Sequence, residues 1–281
     1  MPFATTNRLP ANVAQGLAAG TLAPYLGPGL LALCSGPVPP ADPVALATVL
    51  TAKVSVPGKI RHRLTAAAQF IENFKHRKTL VAGMDAAFAM QAAPSALHLW
   101  LAALQSPLLV DTWYDDTLRQ ALAGRGGWAE VQGLSQSEHF GTWTGWYAAS
   151  GQPLADAPEA PDAPDAATVL YKPWGGHAPA GNYLVSDSDF VEVLTEIDIQ
   201  TPIPARVQQL RSERNFLFLG CRFDDQLLRT YARQIAKRSA GPHVAVLPAE
   251  GEGPALMVMR VIQVENRASP RKLSSLVKAA R

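Results

Sequence analysis

Two uninterrupted apolar runs constrain this chain most. Residues 107–112 read Pro-Leu-Leu-Val-Asp-Thr, and residues 215–220 read Asn-Phe-Leu-Phe-Leu-Gly. Neither alternates apolar with polar residues, and each stops at a polar residue or a glycine, the pattern of a strand covered on both faces. A third run, Leu22 to Leu26, meets Gly27-Pro28-Gly29 and is followed by Leu30 to Leu33. That order predicts strand, glycine turn and helix start. Strands covered on both faces need helices above and below, so the expected fold is α/β: a Rossmann-like, mostly parallel sheet with helices on both faces. Ligands of such sheets sit at the C-terminal strand edge. The loops 27–29, 111–116 and 220–225 are therefore the expected walls of one pocket.

The glycine turn reads in two ways. Gly27 and Gly29 remove side chains where backbone could approach a phosphate, and a helix N-terminus beyond them would offer N–H donors. Pro28 removes one of those donors. A plain tight turn between buried segments accounts for the same residues.

The chain has 281 residues and is 48% hydrophobic, enough for one large core. A single domain over 1–281 is expected, with a helical insertion at 41–105 after the first strand. A flexible loop is expected at 150–166, where Ala, Pro and Asp dominate without periodicity. The formal net charge of +2 gives no electrostatic reason for nucleic-acid binding. Cys34 and Cys221 stand far apart with no Cys-x-x-Cys, which excludes a four-cysteine zinc site and fits a reducing cytoplasm. The six histidines show no metal-ligand spacing. No apolar run approaches the ~18 residues of a membrane span. Neither Gly-x-Ser-x-Gly nor a P-loop occurs.

Local patterns complete the expectation. Residues 1–10 read as a loose start. Asp42-Pro43 fits an N-cap and first-turn proline for a helix to about residue 53. Ile60, Leu64, Ala67, Ile71 and Phe74 recur at helical spacing as one apolar face. The basic residues flanking it, Arg77 among them, read as solvated. His98 reads as structural and Cys221 as a packed neutral thiol, while Asp115 or Asp116 suits a cap for the helix after residue 116. A basic helix is expected from Ser269 to the end; it is a candidate docking surface or a solvated face.

In chain order these pieces resemble the SIR2-like family, bacterial relatives of sirtuins, over about residues 15–265. Ala23-Pro24-Tyr25-Leu26-Gly27-Pro28-Gly29 is similar to the family's opening glycine motif, which holds the NAD pyrophosphate. Asp111-Thr112-Trp113-Tyr114-Asp115 resembles the strand end Thr-x-Asn-x-Asp. Lys172-Pro173-Trp174-Gly175 resembles Lys-x-His-Gly, and the segment from Tyr183 to Phe190 resembles the helix start that follows it. Phe216 to Gly220, with Asp225-Gln226-Leu227, resembles the last nucleotide-binding strand and its helix cap. The resemblance implies NAD as cofactor, with Gly27, Gly29, Thr112, Trp113, Trp174, Gly175, Gly220 and Asp225 as contacts.

The departures fall on the chemistry. Where the family places a catalytic asparagine and a basic histidine, this chain has Trp113 and Trp174. An indole has one N–H donor and no acceptor, so it neither orients a ribose hydroxyl as an amide does nor takes a proton. A flat aromatic could instead stack on a base or a nicotinamide ring, or simply fill core. His177, as a displaced base, and Asp115 are the candidate catalytic residues, each standing in for a usual group. The zinc module of ordinary sirtuins is missing, which argues against a zinc-containing deacylase. Three readings follow from the resemblance. The first is a regulatory or effector protein binding NAD or an ADP-ribose-type nucleotide, its catalysis weakened or lost. The second is an NAD glycohydrolase of the phage-defence type. The third is an interaction module without ligand, with a homo-oligomer or another protein as partner.

Overall fold

A computed structural model describes residues 4–6, 11–154, 166–196, 202–223, 225–247 and 259–264. The expected flexible loop falls largely, and the basic terminal helix entirely, outside the described residues.

Among the described residues the strands are β1 (Ala4–Thr6), β2 (Leu22–Leu26), β3 (Leu108–Asp111), β4 (Trp128–Gly133), β5 (Thr144–Ala148), β6 (Thr168–Lys172), β7 (Gly175–Gly176), β8 (Asn182–Tyr183), β9 (Asn215–Leu219), β10 (His243–Leu247) and β11 (Met259–Val264). The helices are α1 (Ala11–Ala18), α2 (Pro43–Ala52), α3 (Leu64–Lys75), α4 (Arg77–Phe88), α5 (Ala96–Ala103), α6 (Thr117–Leu122), α7 (Asp187–Glu196), α8 (Ala205–Ser212) and α9 (Gln226–Ala236). Nine strands form one sheet in the order β1-β11-β10-β9-β2-β3-β6-β4-β5, while β7 and β8 pair apart. The six strands from β10 to β4 run parallel. β5 and β11 add antiparallel margins, and β1 pairs with β11. The expected mostly parallel α/β sheet is thus the observed one.

Alternation along the strands sorts the core onto two faces. Ala23, Tyr25, Val110, Tyr171, Phe216 and Phe218 belong to a larger cluster with residues of α2, α3, α4, α7, α8 and α9. Leu22, Leu26, Leu109, Leu170, Leu217 and Leu219 belong to a smaller one with residues of α1, α5 and α6. From β2 the chain steps to β3 on one side, and from β9 to β10 on the other. The winding direction therefore reverses between β2 and β9.

Local chemistry sets several boundaries. Asp42 Oδ1 accepts the Val44 and Ala45 N–H groups at 2.9 and 2.8 Å, opening α2 as its sequence suggested. His98 closes a capping box with Ser95 at the start of α5, a structural role. Burial lowers its pKa, with Asp115 acting in the opposite sense.

Three expectations need correction. Residues 4–6 are not a loose start: they form β1. The helix expected from residue 60 begins only at Leu64, and Phe74 at its end is 66% exposed, outside the apolar face. α3 stops one residue later, at Lys75, and His76 takes φ +68°. Phe74 meets Phe70, 4.4 Å between ring centroids, instead of the core. Nor is Arg77 solvated. Its guanidinium reaches Asp189 at 2.9 Å, Glu138 at 3.1 Å and Glu72 at 3.5 Å, and donates to the Tyr183 carbonyl. Helical spacing alone could not show that α7 and the 135–138 turn close over this position.

Candidate functional site

The C-terminal ends of β2, β3 and β9 meet, so the three expected loops do converge. Thr112 donates twice to the Leu26 carbonyl, from its N–H at 2.9 Å and its hydroxyl at 2.7 Å. On the other side, the Gly27 N–H donates to the Leu219 carbonyl at 2.8 Å and the Gly29 N–H to the Gly220 carbonyl at 3.0 Å. The glycines permit this contact. A Cβ on Gly27 would lie 2.7 Å from the Gly220 oxygen, and one on Gly29 2.8 Å from it. Gly220 has φ +68°, and a Cβ there would meet the Leu30 nitrogen at 2.7 Å. The turn leads into the expected helix start, here a 3-10 helix, Pro28–Leu33. Pro28 at its first position has no N–H, and the Leu30 N–H is turned back to the Gly27 carbonyl at 3.3 Å.

A cavity of about 10 Å³ lies beneath this turn, lined among others by Gly27, Leu30, His98, Asp111 and Asp115. That is room for about one water molecule. Dinucleotide cofactors occupy clefts on the order of 300 Å³ or more. Among the described residues, the space beneath the turn does not fit NAD.

A second group of polar side chains lies at the ends of β3 and β6 and within β4. Lys172 is almost wholly buried, its Nζ 2.9 Å from Asp111 Oδ2 and 2.7 Å from the Asp115 carbonyl. Burial opposes its charge, yet Asp111, Asp115, Glu130 and Asp116 outweigh burial and hold the ammonium above its ordinary pKa. For Asp111 burial wins over the pull of Lys172, and its carboxyl is pushed up to about 6. Burial likewise raises Glu130, against Lys172 and the ion pair with Arg119. At the mouth of this group, His177 Nδ1 lies 3.0 Å from Asp116 Oδ2, with the imidazole one-quarter exposed. Asp116 Oδ1 also accepts the Ala178 N–H at 3.1 Å.

The remaining expected site residues separate into structural settings. Asp115 accepts the Thr117 N–H at 2.9 Å and so caps α6, leaving Asp116 as the partner of His177. Trp113 packs against Phe88 and Tyr114 and donates its indole N–H to the Pro40 carbonyl at 2.8 Å. Trp174 packs edge-on against Phe190 and Tyr231, in α7 and α9, and its N–H has no partner among the described residues. Each indole is 2% exposed and lies in the larger core cluster. Gly175 sits in β7 opposite Tyr183. Asp225 caps α9, accepting the Leu227 and Leu228 N–H groups at 2.8 and 3.0 Å. Cys221 is buried, and burial raises its thiol pKa, as expected of a packed neutral cysteine.

Sequence reasoning passed over Asp111 and Lys172 as site residues, and took Asp116 as a ribose contact or a helix cap. The signal available was a lysine two residues before Trp174 and a carboxylate ending an apolar strand. Their pairing depends on β3 and β6 lying side by side, which no local pattern shows.

A doubly wound parallel sheet whose glycine turn stands at the reversal of winding defines the architectural class of nucleotide-binding α/β domains. A family model described as SIR2-like domain matches residues 107–266, more than half of the chain, and the chain belongs to that family. SIR2-like domains generally use NAD. No curated protein matches the chain. Among the described residues no helix is long and apolar enough to cross a membrane, and no cluster of His, Cys, Asp and Glu suits a metal ion.

Proposed function

We propose that this protein is a SIR2-like module in a regulatory or effector role whose NAD-consuming chemistry has been lost. The observation that carries this reading is the setting of Trp113 and Trp174. They occupy the positions where the family resemblance places asparagine and histidine, and both indoles are core side chains. An indole supplies neither the amide acceptor nor the base. The test is incubation of the purified protein with NAD while nicotinamide release is followed. Release no faster than in buffer is expected, and sustained turnover overturns the reading.

One observation favours a second reading, an NAD glycohydrolase of the phage-defence type. His177 is part-exposed and oriented by Asp116 through Nδ1, which leaves Nε2 to act as a base. On that reading His177→Ala and Asp116→Asn each abolish nicotinamide release. A module without turnover takes two forms, one holding NAD or an ADP-ribose-type nucleotide and one serving as a ligand-free interaction module in a homo-oligomer or with another protein. Calorimetry with both nucleotides separates them.

A further inference from the structure

We infer that Gly27, Gly29 and Gly220 are retained to seal the chain's own backbone at the sheet edge, and that the crevice between β2 and β9 excludes a diphosphate-bridged dinucleotide. The inference rests on the reading of a module without turnover and settles which of its two forms this chain takes.

A phosphate-holding turn presents N–H groups to the ligand. Here the donors point inward: Gly27 to Leu219, Gly29 to Gly220 and Leu30 to Gly27, while Pro28 has none. The space that a missing Cβ opens at each glycine is taken by backbone of the facing loop. The nearest atoms are the Gly220 oxygen for Gly27 and Gly29, and the Leu30 nitrogen for Gly220. A diphosphate could reach these amides only after the Gly29–Gly220 hydrogen bond had broken.

Charge makes the same case independently. Asp111 and Asp115 line the small cavity under the turn. Asp116, at the start of α6, and Glu130, within β4, also bear on Lys172. Four carboxylates thus face two cations, Lys172 and Arg119, each of them already paired. A dinucleotide bringing two negative charges would meet the Asp111 and Asp115 carboxylates beneath the turn, where Lys172 is already bound to Asp111.

Hydrogen exchange of the wild-type protein, read by mass spectrometry with and without millimolar NAD or ADP-ribose, tests this together with calorimetry. The expected result is strong protection of the peptide spanning residues 26–30, unchanged by either nucleotide, and no saturable heat. Nucleotide-dependent protection or a saturable isotherm overturns the seal. Gly29→Ala adds a second arm. Loss of thermal stability is expected, because the new Cβ would lie 2.8 Å from the Gly220 oxygen; unchanged stability overturns the inference. Should the variant fail to fold, the wild-type measurements still decide. Nucleotide bound without nicotinamide release defeats the seal alone; nicotinamide release defeats the proposed function as well.

Discussion

The two sides of the sheet edge around β3 are built from opposite materials. Between β2 and β9 the contact is backbone on backbone, made possible by three residues without side chains. Between β3, β4 and β6 it is charge on charge, Lys172 with Asp111 and Glu130 with Arg119 of α6. The first surface is neutral and tight, and any added atom disturbs it. The second tolerates changes of shape but not the removal of one sign of charge.

The charged side should break most sharply. Lys172→Met leaves Asp111 buried with its opposing charge gone, and a loss of about 3–5 kcal/mol is expected in urea denaturation. Adding Asp111→Leu should recover part of it, since a well-packed apolar pair replaces a buried ion pair at little cost. No recovery would mean that Lys172 acts mainly through the Asp115 carbonyl.

The glycine side should break next. Gly220→Ala combines a left-handed backbone with a Cβ 2.7 Å from the Leu30 nitrogen, and a loss of about 2–3 kcal/mol is expected by the same measurement. A near-neutral effect would mean that the two loops part easily.

Acidity separates the two sides further. Burial lifts the Asp111 pKa from 3.8 to about 6, so between those values the folded chain holds a proton that the unfolded chain has released. Stability from this group is therefore greatest below pH 4 and is lost as pH rises through 6. Relative to Asp111→Asn, the wild type should gain on the order of 2 kcal/mol as pH falls from about 7 to about 4. Gly220→Ala should leave that slope as it is. Melting temperatures of the three proteins across this range check both statements.

The smallest effect concerns the indoles. Trp113→Phe leaves the Pro40 carbonyl without its donor, whereas Trp174→Phe removes an N–H that already lacks a partner. The first should cost about 1 kcal/mol more than the second, read as the difference in unfolding free energy.

Much of the scaffold was legible. Apolar runs without alternation gave β3 and β9, because strands buried on both faces have no other pattern, and Asp42 announced α2 through the short reach of its own side chain. The site was legible only as a neighbourhood. A glycine tells that a side chain is missing but not what fills the space, so the Gly27 turn read both as a plain tight turn, the better reading on the residues alone, and as a phosphate cradle. Asp115 and Asp116 are adjacent and chemically alike; only the path of the loop after Gly175 decides that Asp116 meets His177. Lys172 stood only as the first residue of a loop motif, because nothing in its own segment shows the carboxylates that converge on it from β3 and β4. Phe74 misled because a helical stripe marks a face without marking where the neighbouring helix stops covering it.

β1 carries a consequence of its own. Three residues near the N-terminus hydrogen-bond along β11, which otherwise presents a bare row of amides and carbonyls at the rim of the sheet. A chain trimmed past residue 6 would offer that rim to the matching strand of another molecule. Fibrillar or swapped assemblies are the natural outcome of such a trim, so purification tags and protease sites are better placed elsewhere than against this short hem.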